Sequence, residues 1–350
     1  MKKGKRRKKK IITVLILVCL VVAIAVYLFI IRNSKQGGGG YENSKNHVKE
    51  KPITIVDINS NKRPIAVMID NNVGNNSHVG LQEAYISYEI IVEGGLTRIM
   101  AIYKDRDIDQ IGPIRSARHY FLDYALENDA IYCHYGWSPY AEADIKNLSV
   151  NNINGLTASS AYWRDKNIRA PHNVFTSIDR LYKYANSLSY SRQSDNWQLL
   201  KYSGNLIKLE DLATVDENSE AMVASKININ YSLSQSRQYN YDSEKKVYVR
   251  FMNNKPHIDK KSGQQYNYKN IIIEKVSNRT MDSDGRQDLT TTGSGDGYYI
   301  TNGYALPITW YKGSRRSKTK YKYLDGKEVK FNDRNTFIQV IPTNADTTIE

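Results

Sequence analysis

At 350 residues, with 40% hydrophobic and 25% charged side chains, the chain suits about two domains at roughly 100–200 residues each and is too apolar to be disordered. Its formal net charge of +14 is concentrated at one end: residues 1–40 hold ten Lys and Arg and no acid, and elsewhere 40 cations face 36 acids. The bulk of the chain is thus only mildly basic, and no nucleic-acid partner is implied.

Residues 1–10 form a basic, cytoplasmic segment. Residues 11–31, IITVLILVCLVVAIAVYLFII, run 21 positions without a charge. About 20 helical residues at ~1.5 Å each span a ~30 Å hydrocarbon core, so 11–31 reads as a transmembrane helix. Eight preceding cations hold the amino terminus in the cytoplasm and place the rest outside. A cleaved signal peptide would need a shorter apolar run. Lipid attachment at Cys19 would need a small residue where Val18 stands. Cys19 in the span and Cys133 in an apolar run leave no pair for an intramolecular disulfide. The abundance of Asn, Lys, Ile and Tyr, together with the anchor, points to the cell membrane of a Gram-positive envelope.

Residues 32–60, with glycines at 37–40, read as a flexible linker. Residues 61–190 read as an α/β (or α+β) module. RPIAVMID (63–70) is a buried strand, and YISYEIIVEGG and TRIMAIYKD form a hairpin turning at Gly94-Gly95. Ser116 is expected to cap an amphipathic helix beginning at Ala117. AIYCHYG (130–136) is another strand. Ser138-Pro139 starts a further helix, and Thr176 with Asp179 starts the next. A junction is expected at 191–225. Residues 226–342, with short strands at turn-bounded spacing (KININYS, KVYVRFM, YKNIIIEKV, GYYITNG, YALPITWY, TKYKYL, EVKF, TFIQVI), read as a β-rich module, and 343–350 as a tail.

The segments RPIAVMIDNN, YEIIVEGGLTRIMAIY, IGPIRSAR, AIYCHYGWSP, YWRDKNIRAPHNVFT, MDSDGRQDL and GSGDGYYITNGYALPITWYK occur in this order over residues 60–342. In them the chain resembles the YerB-like family of bacterial envelope lipoproteins. The resemblance implies an extracytoplasmic, membrane-attached protein with a two-part ectodomain, and it implies no reaction. The chain departs from the family pattern at its start, where a transmembrane segment stands in place of a lipobox. It departs again at NDRNTFIQVI, where a Gly and a Trp would be expected.

Charges inside apolar runs mark the candidate site. Glu89 and Glu93 share a strand face but lie about 13 Å apart at ~3.3 Å per residue. A glycosidase pair needs roughly 5–9.5 Å, so pairing with Arg98, Arg115 or Arg118 is the better reading. Arg115 and Arg118 would flank the start of the helix at 117, where cations are unfavourable unless an anion sits there. His134 and His172, each next to a helix start, are expected on one rim of the first module. Cys133 reads as core. DSDGRQD (282–288) lacks the acid that a calcium loop needs at its twelfth position and reads as a turn.

The expected ligand-binding set is therefore Asp70, Asn71, Glu93, Arg98 and Arg115, with Arg118, His134, His172 and Asn173. No metal ligand set and no cofactor is expected. The leading expectation is a membrane-anchored envelope protein that binds an anionic cell-wall polymer or precursor, or that acts as a scaffold for envelope proteins. The alternative is an envelope hydrolase or transferase with a His/carboxylate site. The two differ in whether an acid and a His lie within about 3 Å of each other in an open site.

Overall fold

The structure, a computed structural model, describes residues 24, 27, 50–74, 76–213 and 220–350. Residues 1–10 and the expected span at 11–31 lie outside the described residues, apart from Ile24 and Tyr27, which are helical. Among the described residues no helix is long and apolar enough to cross a membrane. Residues Glu50–Glu350 form one compact unit.

The first half supplies β1 (Ile65–Asp70), β2 (Ile86–Ile91), β3 (Thr97–Tyr103), α1 (Phe121–Glu127), β4 (Ile131–His134), α2 (Pro139–Asn147), β5 (Asn152–Asn154) and α3 (Ile178–Ser187). The second half supplies β6 (Lys226–Ser232), β7 (Gln235–Asp242), β8 (Val247–Met252), β9 (Asn270–Val276), β10 (Gly293–Thr301), β11 (Tyr304–Lys312), β12 (Lys320–Tyr323), β13 (Thr336–Pro342) and β14 (Asp346–Ile349). The first half is mixed α/β and the second is β-rich.

One eleven-stranded sheet runs through both halves in the order β12-β11-β10-β9-β13-β2-β3-β1-β4-β5, with Met222–Val223 beside β11. The seam is β13, which is parallel to β9 on one side and to β2 on the other, with Glu89 opposite Gln339. A second sheet holds β8-β7-β6-β14. β1, β2, β3 and β13 are buried at every position, as continuous apolar runs are when both faces of a sheet are covered. Alternation along β2 sorts the two faces. Tyr88 donates its hydroxyl to Glu127 of α1 (2.8 Å), whereas Glu89 meets Arg237 of β7 and Arg250 of β8. One face therefore packs on α1 and the other on the second sheet.

Three local expectations change. The first helix begins at Phe121 with Tyr120 before it, and the Ser116 hydroxyl donates to Tyr135 O (3.0 Å). Arg115 thus lies in the segment that bonds to β1, and Arg118 opens the turn that precedes the helix (Phe121 N to Arg118 O, 3.2 Å), so the two do not flank its first turn. Ser177, not Thr176, caps α3 by accepting from Arg180 N; Thr176 ends a short strand, Val174–Thr176. Ser138 caps α2 as expected, accepting from Ala141 N. The strand β7 had no apolar alternation to mark it, because the side chains it buries are Gln235, Arg237 and Tyr239.

Candidate functional site

The site gathers where β1 ends. β4 pairs with β1 only as far as Val67. Beyond that point the segment 113–115 takes over the free edge: Asp70 N donates to Pro113 O (2.8 Å) and Arg115 N to Met68 O (3.0 Å). This puts Arg115 beside Asp70. On the other edge Asp70 stands opposite Arg98 of β3, on the same face. Gly112 allows the segment to thread through: its φ is +150°, and a Cβ there would lie 2.8 Å from Val174 O.

Asp70 is buried and its carboxylate is shared. Oδ2 accepts from His172 Nδ1 at 2.6 Å, and Arg115 Nε lies 3.1 Å away in an ion pair too poorly aligned for a hydrogen bond. His172 keeps about a third of its side chain exposed (32%), so an imidazole oriented by a buried carboxylate faces solvent. Asn173 does not enter the site. It closes the loop that carries His172, accepting from Arg164 Nη1 (2.7 Å) and donating to Asp165 O (3.0 Å).

Glu93 begins a tight turn with Gly94 and Gly95 at φ +66° and +69°. Its carboxylate takes a two-pronged bond from Arg118, at 2.5 and 2.8 Å. Burial disfavours the Glu93 charge, but the Arg118 hydrogen bond and charge outweigh it and hold the carboxyl below its ordinary range. A side chain at Gly95 would strike Ser232 Cβ at 2.8 Å, so the turn sits against the β6–β7 connection. Arg98 is buried and donates Nη1 to Ser116 O (2.5 Å). Burial, then the like charge of Arg118, lower its pKa to about 10. Asp70, Glu93, Arg98, Arg115, Arg118 and His172 therefore lie together.

Two expected members do not join them. His134 is fully buried, with Nδ1 against Gly136 O (2.8 Å) and Nε2 against Asn152 Oδ1 (3.2 Å), and it packs on Tyr132 and Trp137. Burial lowers its pKa to about 4, so it is a neutral structural residue and shares no rim with His172. Asn71 turns inward, donating Nδ2 to Glu89 Oε1 and Thr97 Oγ1, both at 2.7 Å. The side chain after Asp70 points to the sheet's other face because successive strand residues alternate.

Glu89 also has other partners than expected. Its carboxylate meets Arg237 Nε (2.5 Å) and Arg250 Nη2 (2.6 Å), with Gln339 Nε2 at 3.0 Å, and all three charged side chains are fully buried. Burial alone would raise the Glu89 pKa, but the two guanidiniums prevail and lower it to about 2. This ion cluster fastens the second sheet to the first. Arg237 and Arg250 went unread in the sequence, although each is a lone cation in the buried phase of a strand, beside Tyr239 and Tyr248.

A cavity of about 870 Å³ lies elsewhere, between residues 79–83 and 105–110 of the first half and 259–267 of the second. Glu83, Asp105, Asp107, Asp109 and Asp259 line it against Arg106 and Lys261. That excess of carboxylates does not suit an anion.

Residues 53–191 match the family domain described as "Protein of unknown function (DUF3048) N-terminal domain", and residues 227–338 match its C-terminal counterpart. The chain belongs to the YerB-like family. A curated relative, "Putative lipoprotein YerB" of Bacillus subtilis (strain 168), is 29% identical over 282 residues, covering 80% of this chain and 82% of that protein. The crystal structure of YerB protein from Bacillus subtilis superposes with a TM-score of 0.70 at 28% identity, covering 82% of this chain and 94% of that one. The YerB-like match places both halves in a family of unknown function, so any activity has to be argued from the side chains.

Proposed function

We propose that this YerB-like protein is a cell-envelope protein, anchored by residues 11–31 with its folded body outside the membrane, and that it binds a phosphate-bearing anion of the wall or its precursors. The charge balance where β1 ends carries this reading. Three guanidiniums (Arg98, Arg115, Arg118) and the His172 imidazole are gathered around only two carboxylates, Asp70 and Glu93. Arg118 is taken up by Glu93 through Nε and Nη2 and by Ala117 O through Nη1, but Arg115 keeps a buried Nε without a hydrogen bond, and Arg98 is crowded by like charge. An entering anion would relieve both, since guanidinium–phosphate bonds are charge-assisted and planar. The relative's name as a lipoprotein supports membrane attachment in the envelope.

The test is calorimetric titration of full-length protein in detergent with pyrophosphate and with a poly(glycerol phosphate) polymer at low salt. Binding that is lost in Arg115→Gln is the expected result. Wild-type protein that binds neither probe overturns the reading.

One observation favours a second reading, an envelope hydrolase or transferase. The 2.6 Å Asp70–His172 bond is the arrangement that fixes the tautomer of a general base. Turnover of a chromogenic phosphodiester that disappears in both Asp70→Asn and His172→Ala would establish it; no turnover leaves a binding site only.

A further inference from the structure

Three fully buried side chains that no motif singled out connect the second sheet to Asp70: Arg250, His257 and His78. The direction of every bond follows from the two ends. Arg250 can only donate, so its Nη1 donates to His257 Nδ1. The Asp70 carbonyl can only accept, so His78 Nε2 donates to it at 2.5 Å. His257 Nε2 and His78 Nδ1 are 2.8 Å apart. A neutral imidazole carries one N–H, so His257 Nε2 donates and His78 Nδ1 accepts. All four ring nitrogens are then used with both rings uncharged. Burial lowers the His78 pKa to about 4 and, with the Arg250 charge, holds His257 well below its ordinary range. Glu89 holds the far end of the chain through Arg250 Nη2 (2.6 Å).

Desolvating such a chain is costly, and packed apolar side chains would fill the same space without that cost. Its near end gives it a use. Asp70 is the last residue of β1, with its N–H on Pro113 O and its C=O on His78. With both backbone groups held, the Cα–Cβ direction is set, and the carboxylate reaches Asn72 N through Oδ1 and His172 and Arg115 through Oδ2. We propose that Arg250, His257 and His78 are positioning residues, through which the second half of the chain holds Asp70 and, through Asp70, the anion site. The inference rests on the anion-binding reading for its purpose but not for its geometry.

The experiment uses full-length protein in detergent as wild type, His78→Leu, His78→Gln, His257→Leu and His257→Gln. Pyrophosphate affinity is measured by calorimetry. Acylation of His172 by diethyl pyrocarbonate, without ligand, is followed by peptide mass spectrometry. Loss of the hydrogen-bond partner that orients a ligating side chain costs about 10–100-fold at metal sites, and on that scale the Leu variants should lose about tenfold or more in affinity and change the His172 acylation rate about threefold or more. Glutamine offers one acceptor and one donor, as each ring does, and should restore both readouts to within about twofold. Folded Leu variants that match wild type in both readouts overturn the proposal. If wild type does not bind pyrophosphate, the anion reading falls, and the acylation rates still decide the positioning role. If the Leu variants do not fold, ¹⁵N-histidine spectra of wild type decide. Nε2–H tautomers at both rings with a coupling across the N–H···N bond support the chain, and an Nδ1–H tautomer at either ring overturns it.

Discussion

Replacing Glu89 with Gln removes one negative charge from a place that water does not reach. The carboxylate there receives Arg237 Nε, Arg250 Nη2, Asn71 Nδ2, Thr97 Oγ1 and Gln339 Nε2, all at 2.5–3.0 Å. A glutamine has one oxygen to offer and turns its own donors toward a guanidinium, so at least one buried cation loses its partner. Breaking one partner out of a buried pair costs about 3–5 kcal/mol. The titration of Glu89 gives a similar size: a pKa lowered from 4.5 to about 2 in a fully buried group is worth about 3 kcal/mol of preference for the ionised form. Against a total stability of about 5–15 kcal/mol, the variant should be marginal. Urea unfolding of full-length protein, followed by tryptophan fluorescence, measures the loss, which should appear as a lower midpoint at unchanged slope. The triple variant Glu89→Met, Arg237→Leu, Arg250→Met should recover most of it, since removing all the charges together leaves none unpaired. A loss below about 1 kcal/mol for Glu89→Gln, the level of an exposed pair, would refute the claim that this cluster joins the two sheets.

Other expectations can be checked alongside. Glu274 lies among the Tyr124 and Tyr321 hydroxyls with Glu127 nearby, and burial, then the Glu127 charge, raises its pKa to about 7. Because the folded value is raised, its stabilising contribution is complete below the unfolded value of 4.5 and is lost as pH climbs through 7. Stability should therefore fall by about 3 kcal/mol over that window, and Glu274→Gln should flatten the fall in a pH series of urea midpoints. Glu89 acts with the opposite sign: its contribution is present above pH 4.5 and is lost as pH drops through 2. His134→Ala should destabilise the fold by about 2–4 kcal/mol, as large-to-small core changes do, yet leave pyrophosphate affinity within twofold; lost binding in a folded variant would return His134 to the site. Protease added to intact protoplasts should remove the body and leave a membrane-bound stub, whereas a protected carboxyl terminus would refute the expected topology.

Local pattern was enough to read most elements of the first half (though neither β5 nor the strand Val174–Thr176), the β-rich character of the second, and the neighbourhood of Asp70, Arg98, Arg115, Arg118 and His172. Strand periodicity, turn glycines and charges set within apolar runs are properties of short segments. Chain order also told which family the segments belong to. The Glu93–Arg118 pair was among the partners it offered, but the partners of Glu89 and His78 lay beyond it. Glu89 finds Arg237 and Arg250, 148 and 161 residues away, and His78 finds His257 at a separation of 179. Those meetings depend on β13 inserting beside β2 and on the second sheet closing over that face, and no segment of either half encodes this alone. His134 and His172 look alike in sequence because both stand near helix starts. Tertiary packing separates them: His134 faces Trp137 and Asn152 inside the fold, whereas His172 rides a loop that brings it to a buried carboxylate at the surface. The sequence alone determines which residue types lie near the end of a strand. Which of them face each other across that end was decided by segment 113–115 taking the free edge of β1 and by the loop that carries His172, whereas the two halves sharing one sheet decided the partners of Glu89 and His78, because only that closure brings those buried groups to partners in the other half.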